Sequence, residues 1–304
     1  MTELSRPPFP EVIDSSLIST FRSCPQKAFR EYFEHWKPGD LSVHLHAGGA
    51  FARGVEVTRK AFHEEGEDAE TALALGMAAL LEFYGTFECP ADSAKSAVRM
   101  AGALEYYFSQ YPLDTDPAVP LLLPSGRRAI EFNGVDPLEI DHPVTGNPLL
   151  LSWRFDSICK FQGLTLGQDE KTTTQLGASW PKQWDLRSQF TAYTWGAQQH
   201  GIKLDGFLVR GISILKTKYE CMDAITYRPQ WQIERWMKQT LRDISRIIEC
   251  WKEGYWDYAL DHACTEFRGC PFRQVCLMSD PQALLEQHFQ RRRWDPVTRL
   301  ETVL

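Results

Sequence analysis

No stretch of the 304-residue chain approaches the roughly 20 consecutive apolar residues of a membrane-spanning helix. The opening MTELSRPPFPEVID carries no apolar signal region, so secretion is not indicated and a cytoplasmic location, with no membrane partner, is expected. Positive charge is not in excess: 33 Lys and Arg stand against 40 Asp and Glu, a net charge of −7. The net charge does not advertise a nucleic-acid binder and counts weakly against one. Local clusters such as Arg127-Arg128, Lys216/Lys218 or Arg291-Arg292-Arg293 could still supply a basic groove, although a solvated face is the plainer reading of each. Internal repeats and low-complexity linkers are missing, which favours a single domain over residues 1–304. Paired C-x₂-C spacing is missing too, so the eight cysteines form neither a zinc ribbon nor a ferredoxin run. Structural disulfides are rare in the cytosol, so these cysteines read as free thiols or metal ligands.

What is present begins with a core. Hydrophobic residues make up 43% of the chain, which argues against wholesale disorder. Residues 1–60 read as N-terminal helices. The first spans 15–36, with Leu17, Phe21, Cys24, Ala28 and Tyr32 at helical spacing, and Pro38-Gly39 ends it; the second spans 49–64. Residues 65–115 are Ala-rich and read as a helical insertion, split near Cys89-Pro90. Residues 120–230 read as the core that carries the chemistry. They hold strand-like pieces at 121–123, 129–132 and 138–140, then strands 149–161 and 164–171 joined at Gln162-Gly163. A helix over 186–200, closed by Gly201, and strands at 207–215 and 221–227 complete it. Residues 231–304 read as a long amphipathic helix and a Cys-rich tail. The expected class is α/β, a central mixed sheet flanked by helices.

Asp156 is followed, thirteen positions on, by Asp169-Glu170-Lys171. Hydrolysis of a phosphodiester needs an activated water, neutralised charge on the phosphorane and help for the leaving oxygen. One or two Mg²⁺ or Mn²⁺ ions supply all three and prefer hard oxygen ligands. Asp156 and Asp169 on neighbouring strands suit that role. Strand alternation puts Asp169 and Lys171 on one face and Glu170 on the other. A lysine there can orient water or stabilise developing negative charge. A surface strand with ordinary charges is the plainer reading of Asp-x-Lys alone. Gln189 and Tyr193, at i and i+4 in SQFTAY, then share one face of the following helix.

WRFD ending at Asp156, DEKT over 169–172 and QFTAY over 189–193, in that order, resemble the PD-(D/E)XK nuclease superfamily, and within it the RecB-like and Cas4-like exonucleases. The resemblance implies the PD-(D/E)XK core and metal-binding roles for Asp156 and Asp169. It implies a catalytic role for Lys171, and DNA-contacting or lysine-positioning roles for Gln189 and Tyr193. Relatives commonly carry a histidine ligand a few residues after a glycine on an earlier helix. Aligning Gly49 with that glycine places Arg53 there. Glu56, one turn on, is then a substitute carboxylate ligand or else a partner for Arg59 or Lys60. His44 and His46 precede the glycines and read as loop residues. The implied activity is a metal-dependent DNA exonuclease acting on ends or single strands. It would resemble stand-alone phage or CRISPR-associated enzymes of recombination, repair or processing, which can work with a recombination partner protein. An endonuclease, or a catalytically silent DNA-end binder, remains the alternative.

Cys24 near the start is matched by Cys264, Cys270 and Cys276 in CTEFRGCPFRQVC. One N-terminal and three C-terminal cysteines around the nuclease motifs resemble the iron–sulfur nucleases. That implies a structural [4Fe–4S] cluster stapling the termini. Zinc is the rival, with His262 near. Cys89, Cys159, Cys221 and Cys250 read as ordinary thiols. Trp180 and Trp184 precede the Gln189/Tyr193 helix, either to stack on a base or to pack over the helix start. Trp231, Trp236 and Trp251 read as core.

Overall fold

A computed structural model describes residues 6–265, 269–298 and 300–304. In chain order its elements are β1 (Val12–Asp14), α1 (Ser15–Ser23), α2 (Pro25–Ala28), β2 (Trp36–Pro38), α3 (Val43–Lys60), α4 (Ala69–Tyr84) and α5 (Ala97–Gln110). Next come β3 (Val119–Pro120), β4 (Asn133–Asp141), β5 (Pro148–Arg154), β6 (Ser157–Phe161), β7 (Leu164–Thr173), α6 (Ser188–Gln199), β8 (Gly206–Ile214) and β9 (Tyr219–Tyr227). The chain ends with α7 (Gln230–Glu253), α8 (Arg273–Cys276), α9 (Gln282–His288), β10 (Phe289–Trp294) and β11 (Glu301–Val303). The protein is a mixed α/β structure. It divides into two compact units, one of Met1–Asp40, Gly134–Trp153 and Trp231–Leu304, the other of Leu41–Asn133 and Arg154–Gln230. Among the described residues no helix is long and apolar enough to cross a membrane.

The second unit is built on a five-stranded sheet of order β3-β6-β7-β8-β9. Gln162 and Gly163, at φ 50° and 82°, make the tight turn that pairs β6 antiparallel with β7. β7 and β8 are parallel, and the crossover that parallel pairing demands contains α6. Alternation then sorts the side chains. Gln168 and Glu170 of β7, with Arg210, Ile212 and Ile214 of β8, face α3 and α5. There Phe51, Val55, Leu80, Leu104 and Tyr107 close the core over Ile212 and Ile214. The Ala-rich helices of the expected insertion are therefore part of this unit's core. The opposite face receives α6, whose Phe190 stacks on Phe207 at 4.4 Å. Gly211 lies on that face, and a Cβ there would sit 2.4 Å from the Trp180 ring, so its lack of a side chain lets that indole reach the sheet.

The first unit holds two three-stranded sheets, β1-β5-β4 and β11-β10-β2. The second of these joins residues from both ends of the sequence, because β10 pairs antiparallel with β2. Trp36, Phe272, Val275 and Leu285 form its apolar cluster. Along α7, Ile233, Trp236, Ile244, Ile247 and Trp251 are buried at helical spacing, and Arg22 of α1 binds Asp243 at 2.6 Å.

Four local expectations are corrected. The helix over 15–36 breaks at Cys24 (φ −162°, ψ 114°), because Pro25 pushes the residue before it out of the helical region. The strand over 149–161 is interrupted at Phe155-Asp156, where the chain changes partners. The Phe155 N–H donates to Phe132 O, and the Glu131 N–H donates to Asp156 O at 3.0 Å. His44 and His46 are helical, since α3 starts at Val43 and runs on through its glycines, with Gly49 admitting the Phe83 ring. Trp231 is 61% exposed, while Trp236 and Trp251 are buried.

Candidate active site

Asp156, Asp169, Lys171, Gln189, Tyr193 and Glu56 all fall in the second unit. β6 pairs Ser157 with Gln168, which sets Asp156 at the next position beside Asp169. The Glu170 N–H points at Asp156 Oδ2 (3.3 Å). Lys171 Nζ lies 2.5 Å from Asp169 Oδ2, on the face that also receives α6. Glu170 points the other way, as alternation requires.

The electrostatics of this spot are unfavourable without a cation. Burial, then the neighbouring Asp169 and Glu131 charges, push the Asp156 carboxyl well above its ordinary value. Burial also raises Asp169, against the opposing pull of Lys171. Lys171 itself is held above its usual value: burial opposes its charge, but Asp169 and Asp156 outweigh it. It is therefore an ammonium at neutral pH. Gln189 Nε2 donates to Tyr193 Oη (3.0 Å), and the Tyr193 ring packs 5.4 Å from Phe155. The helix thus sets this pair beside Lys171, whose charge interacts with Tyr193.

Glu56 is half-buried and paired with Lys60 (2.6 Å) and Arg53 (2.9 Å). Burial raises its pKa, but these hydrogen bonds outweigh that and hold it low. The alternative partner expected from sequence, Lys60, is the one found, and Arg53 at the histidine position joins it. Arg59 instead crosses to the sheet. Its guanidinium donates to Glu170 Oε1 (2.5 Å) and Tyr107 Oη (3.0 Å), while Tyr107 and Gln168 each donate to the same oxygen at 2.9 Å. Burial pushes Glu170 up, but Arg59 outweighs it and keeps the carboxylate ionised. Beneath it Arg210, 1% exposed, is clamped by both oxygens of Asp116 at 2.5 and 2.8 Å. Arg59→Met strands a buried carboxylate and is expected to cost about 3–5 kcal/mol. Urea unfolding measures this, and a loss below about 1 kcal/mol would refute the pairing's role.

Two groups went unread in the sequence. Glu131 sits opposite Asp156 at φ 52°, a left-handed backbone uncommon for a residue with a side chain. Burial, with the Glu56 and Glu170 charges, lifts its pKa to about 7 against the pull of Arg154, which lies 3.1 Å away. Only the strand-like 129–132 run hinted at it. Lys95 is 2% exposed, and its Nζ donates to Thr172 Oγ1 at 3.0 Å. Burial lowers its pKa to about 8. The folded value lies below the unfolded value near 10.4, so the unfolded chain binds more protons between them and stability rises with pH from about 8 to about 10. Lys95→Met should abolish that rise and increase the melting temperature at pH 7; melts at pH 7 and 9.5 that match wild type would contradict it.

Trp180 and Trp184 are buried edge-to-face at 4.9 Å, so they pack and do not present a stacking surface. Cys159 and Cys250 are buried thiols.

In the first unit Cys24, Cys264, Cys270 and Cys276 line one cavity of about 240 Å³. None is in a disulfide. The Cys270 N–H donates to Cys264 O, and Gly269 at φ 97° makes the turn between them. Burial raises the Cys276 thiol to about 11, and the other three sulfurs add to it. The side chain of His262 lies outside the described residues. Among the described residues no group of three or more His, Cys, Asp and Glu side chains stands in metal-holding geometry. The donor chemistry nevertheless suits two groups: soft thiols around one cavity for a cluster or zinc, and hard, mutually repelling carboxylates for a divalent cation.

No protein-family profile matches the sequence, and no curated protein matches it. Among solved structures, the chain is similar to an Eubacterium rectale protein named "Putative exonuclease", at 15% identity over 88% of this chain and 93% of that one, with a TM-score of 0.48. It is also similar to the protein named SSO0001, at 13% identity over 74% and 86% of the two chains, with a TM-score of 0.29.

Proposed function

We propose that the protein is a Mg²⁺- or Mn²⁺-dependent DNA nuclease, an exonuclease acting on ends, with a structural [4Fe–4S] cluster. The observation that carries this reading is the meeting of Asp156, Asp169 and Lys171 on one sheet face beside Tyr193. Two buried carboxylates, Asp156 raised by burial and by the charge of Asp169, next to a lysine kept charged, form a poor structural ion pair and a good cation site.

Asp156 and Asp169 would hold the metal, with Glu131 and Glu56 as nearby carboxylates. The bound ion supplies an activated water and neutralises charge on the scissile phosphate. Lys171 activates and orients the attacking water or stabilises negative charge developing on the phosphate oxygens. Gln189 and Tyr193 limit its freedom to one side. Arg59 fixes β7 from behind by holding Glu170. Cys24, Cys264, Cys270 and Cys276 would hold the cluster, which ties residue 24 to the tail and takes no part in the chemistry; zinc would serve the same end.

Digestion of end-labelled linear DNA and covalently closed circles, with Mg²⁺ or Mn²⁺, tests the activity. Loss of the linear form alone is expected. Cutting of circles would move the assignment to an endonuclease. Binding without cutting of either form would leave a silent DNA-end binder.

A further inference from the structure

The arginine run on β10 does not behave as one cluster. Arg292 faces one side of the three-stranded sheet, where it donates to Pro38 O at 2.5 Å and pairs with Glu301 at 3.5 Å. Lys37, on the neighbouring strand, also reaches Glu301, at 3.8 Å. That side is neutralised. Arg291 and Arg293 face the other side. Both are exposed, and neither forms an ion pair among the described residues. The residues opposite them on that side carry no charge: Trp36 lies across from Arg291, and Thr302 across from Arg293. The Arg291 guanidinium lies over the buried Trp36 ring, 4.8 Å from its centroid, so one of the pair is held in place. His35, next to Trp36, feels both arginines and Lys37. Burial first, then those three charges, holds its imidazole below its usual value.

Arg293 feels the carboxylate charge of Asp295, yet neither arginine is in an ion pair among the described residues, in a chain of net charge −7. Their spacing is informative. Residues two apart on a strand repeat every 6.8 Å or about that, close to the repeat of successive phosphates along an extended nucleic-acid strand. A rigid guanidinium fork suits a phosphate better than any neutral ligand. An extended acidic segment would match the charge and, with same-face carboxylates about every 6.8 Å, the repeat as well, so direct competition between the two polymers has to separate them.

We infer that the face of β10 carrying Arg291 and Arg293 grips the sugar–phosphate backbone of a single DNA strand. The identity of the polymer rests on the nuclease reading above; the grip uses none of the carboxylate-site residues. It reads phosphates, so it is indifferent to sequence.

The test is fluorescence anisotropy of a labelled oligothymidylate with the full protein, cluster intact, in EDTA across a salt series. Arg291→Glu/Arg293→Glu is expected to bind about tenfold more weakly or worse, with a salt slope shallower by about 1.4, or about 0.7 for each phosphate that is no longer neutralised. Arg291→Lys/Arg293→Lys should keep the wild-type slope. If charge reversal disturbs the melting curve, Arg291→Gln/Arg293→Gln takes its place with the same expectation. An unchanged slope in the reversed or neutral variant overturns the inference. So does polyglutamate competing as well as oligothymidylate at equal charge. Chelation makes the readout binding alone, so the grip can fail while metal-dependent cleavage stands, and cleavage can fail while the grip stands.

Discussion

Lys171→Ala is expected to lower the single-turnover rate of DNA cleavage by about 10²–10⁴, the range for losing a positioned charge or proton-transfer group. DNA binding in EDTA should survive. The physical basis is local. Lys171 Nζ sits 2.5 Å from Asp169 Oδ2, and the two carboxylates keep it charged. Alanine removes that charge and leaves two buried carboxylates facing each other, so divalent-cation binding should persist or tighten while the rate falls. Arginine at the same position keeps the charge but not the compact ammonium, and should recover only part of the rate. If Lys171→Ala cleaves within about threefold of wild type, as read in the same assay, charge stabilisation by this residue is wrong.

Anaerobically purified wild type is expected to be brown, and replacing Cys270 and Cys276 together by serine is expected to give colourless protein. Cys24 and the three C-terminal cysteines line one cavity although some 240 positions separate them in sequence. A clamp closing a loop of that length removes chain entropy from the unfolded state worth about 5 kcal/mol. For a protein of this size that is a fall of about 8 °C in melting temperature. Colourless wild type carrying stoichiometric zinc would keep the clamp and replace the cluster. Wild type with no metal, and a double variant that melts at the same temperature, would contradict both.

The sequence made some of this legible and left the rest hidden for identifiable reasons. Period-two alternation separated Asp169 and Lys171 from Glu170, and the structure keeps that sorting because β7 is pinned between β6 and β8. The Gln189/Tyr193 spacing survived because a helix of known period carries both. Partner choice was not legible. Arg59 could have paired with Glu56 one turn away, but the fold offered it the buried Glu170, 111 positions distant. Glu131 was invisible because its place in the site depends on a left-handed backbone and on a bond to Asp156, 25 positions on, neither of which has a local signature. Chain breaks were half legible. Pro25 announces the break at Cys24, whereas the break at Phe155-Asp156 comes from a change of strand partner.

The central claim is that Asp156 and Asp169 hold a divalent cation. Titration of Mn²⁺ into the protein, followed by the loss of the free-ion electron paramagnetic resonance signal, tests it without relying on turnover. The account predicts that wild type and Lys171→Ala sequester Mn²⁺, and that Asp156→Asn/Asp169→Asn, folded by circular dichroism, does not. Equal sequestration by the double variant and wild type would contradict it.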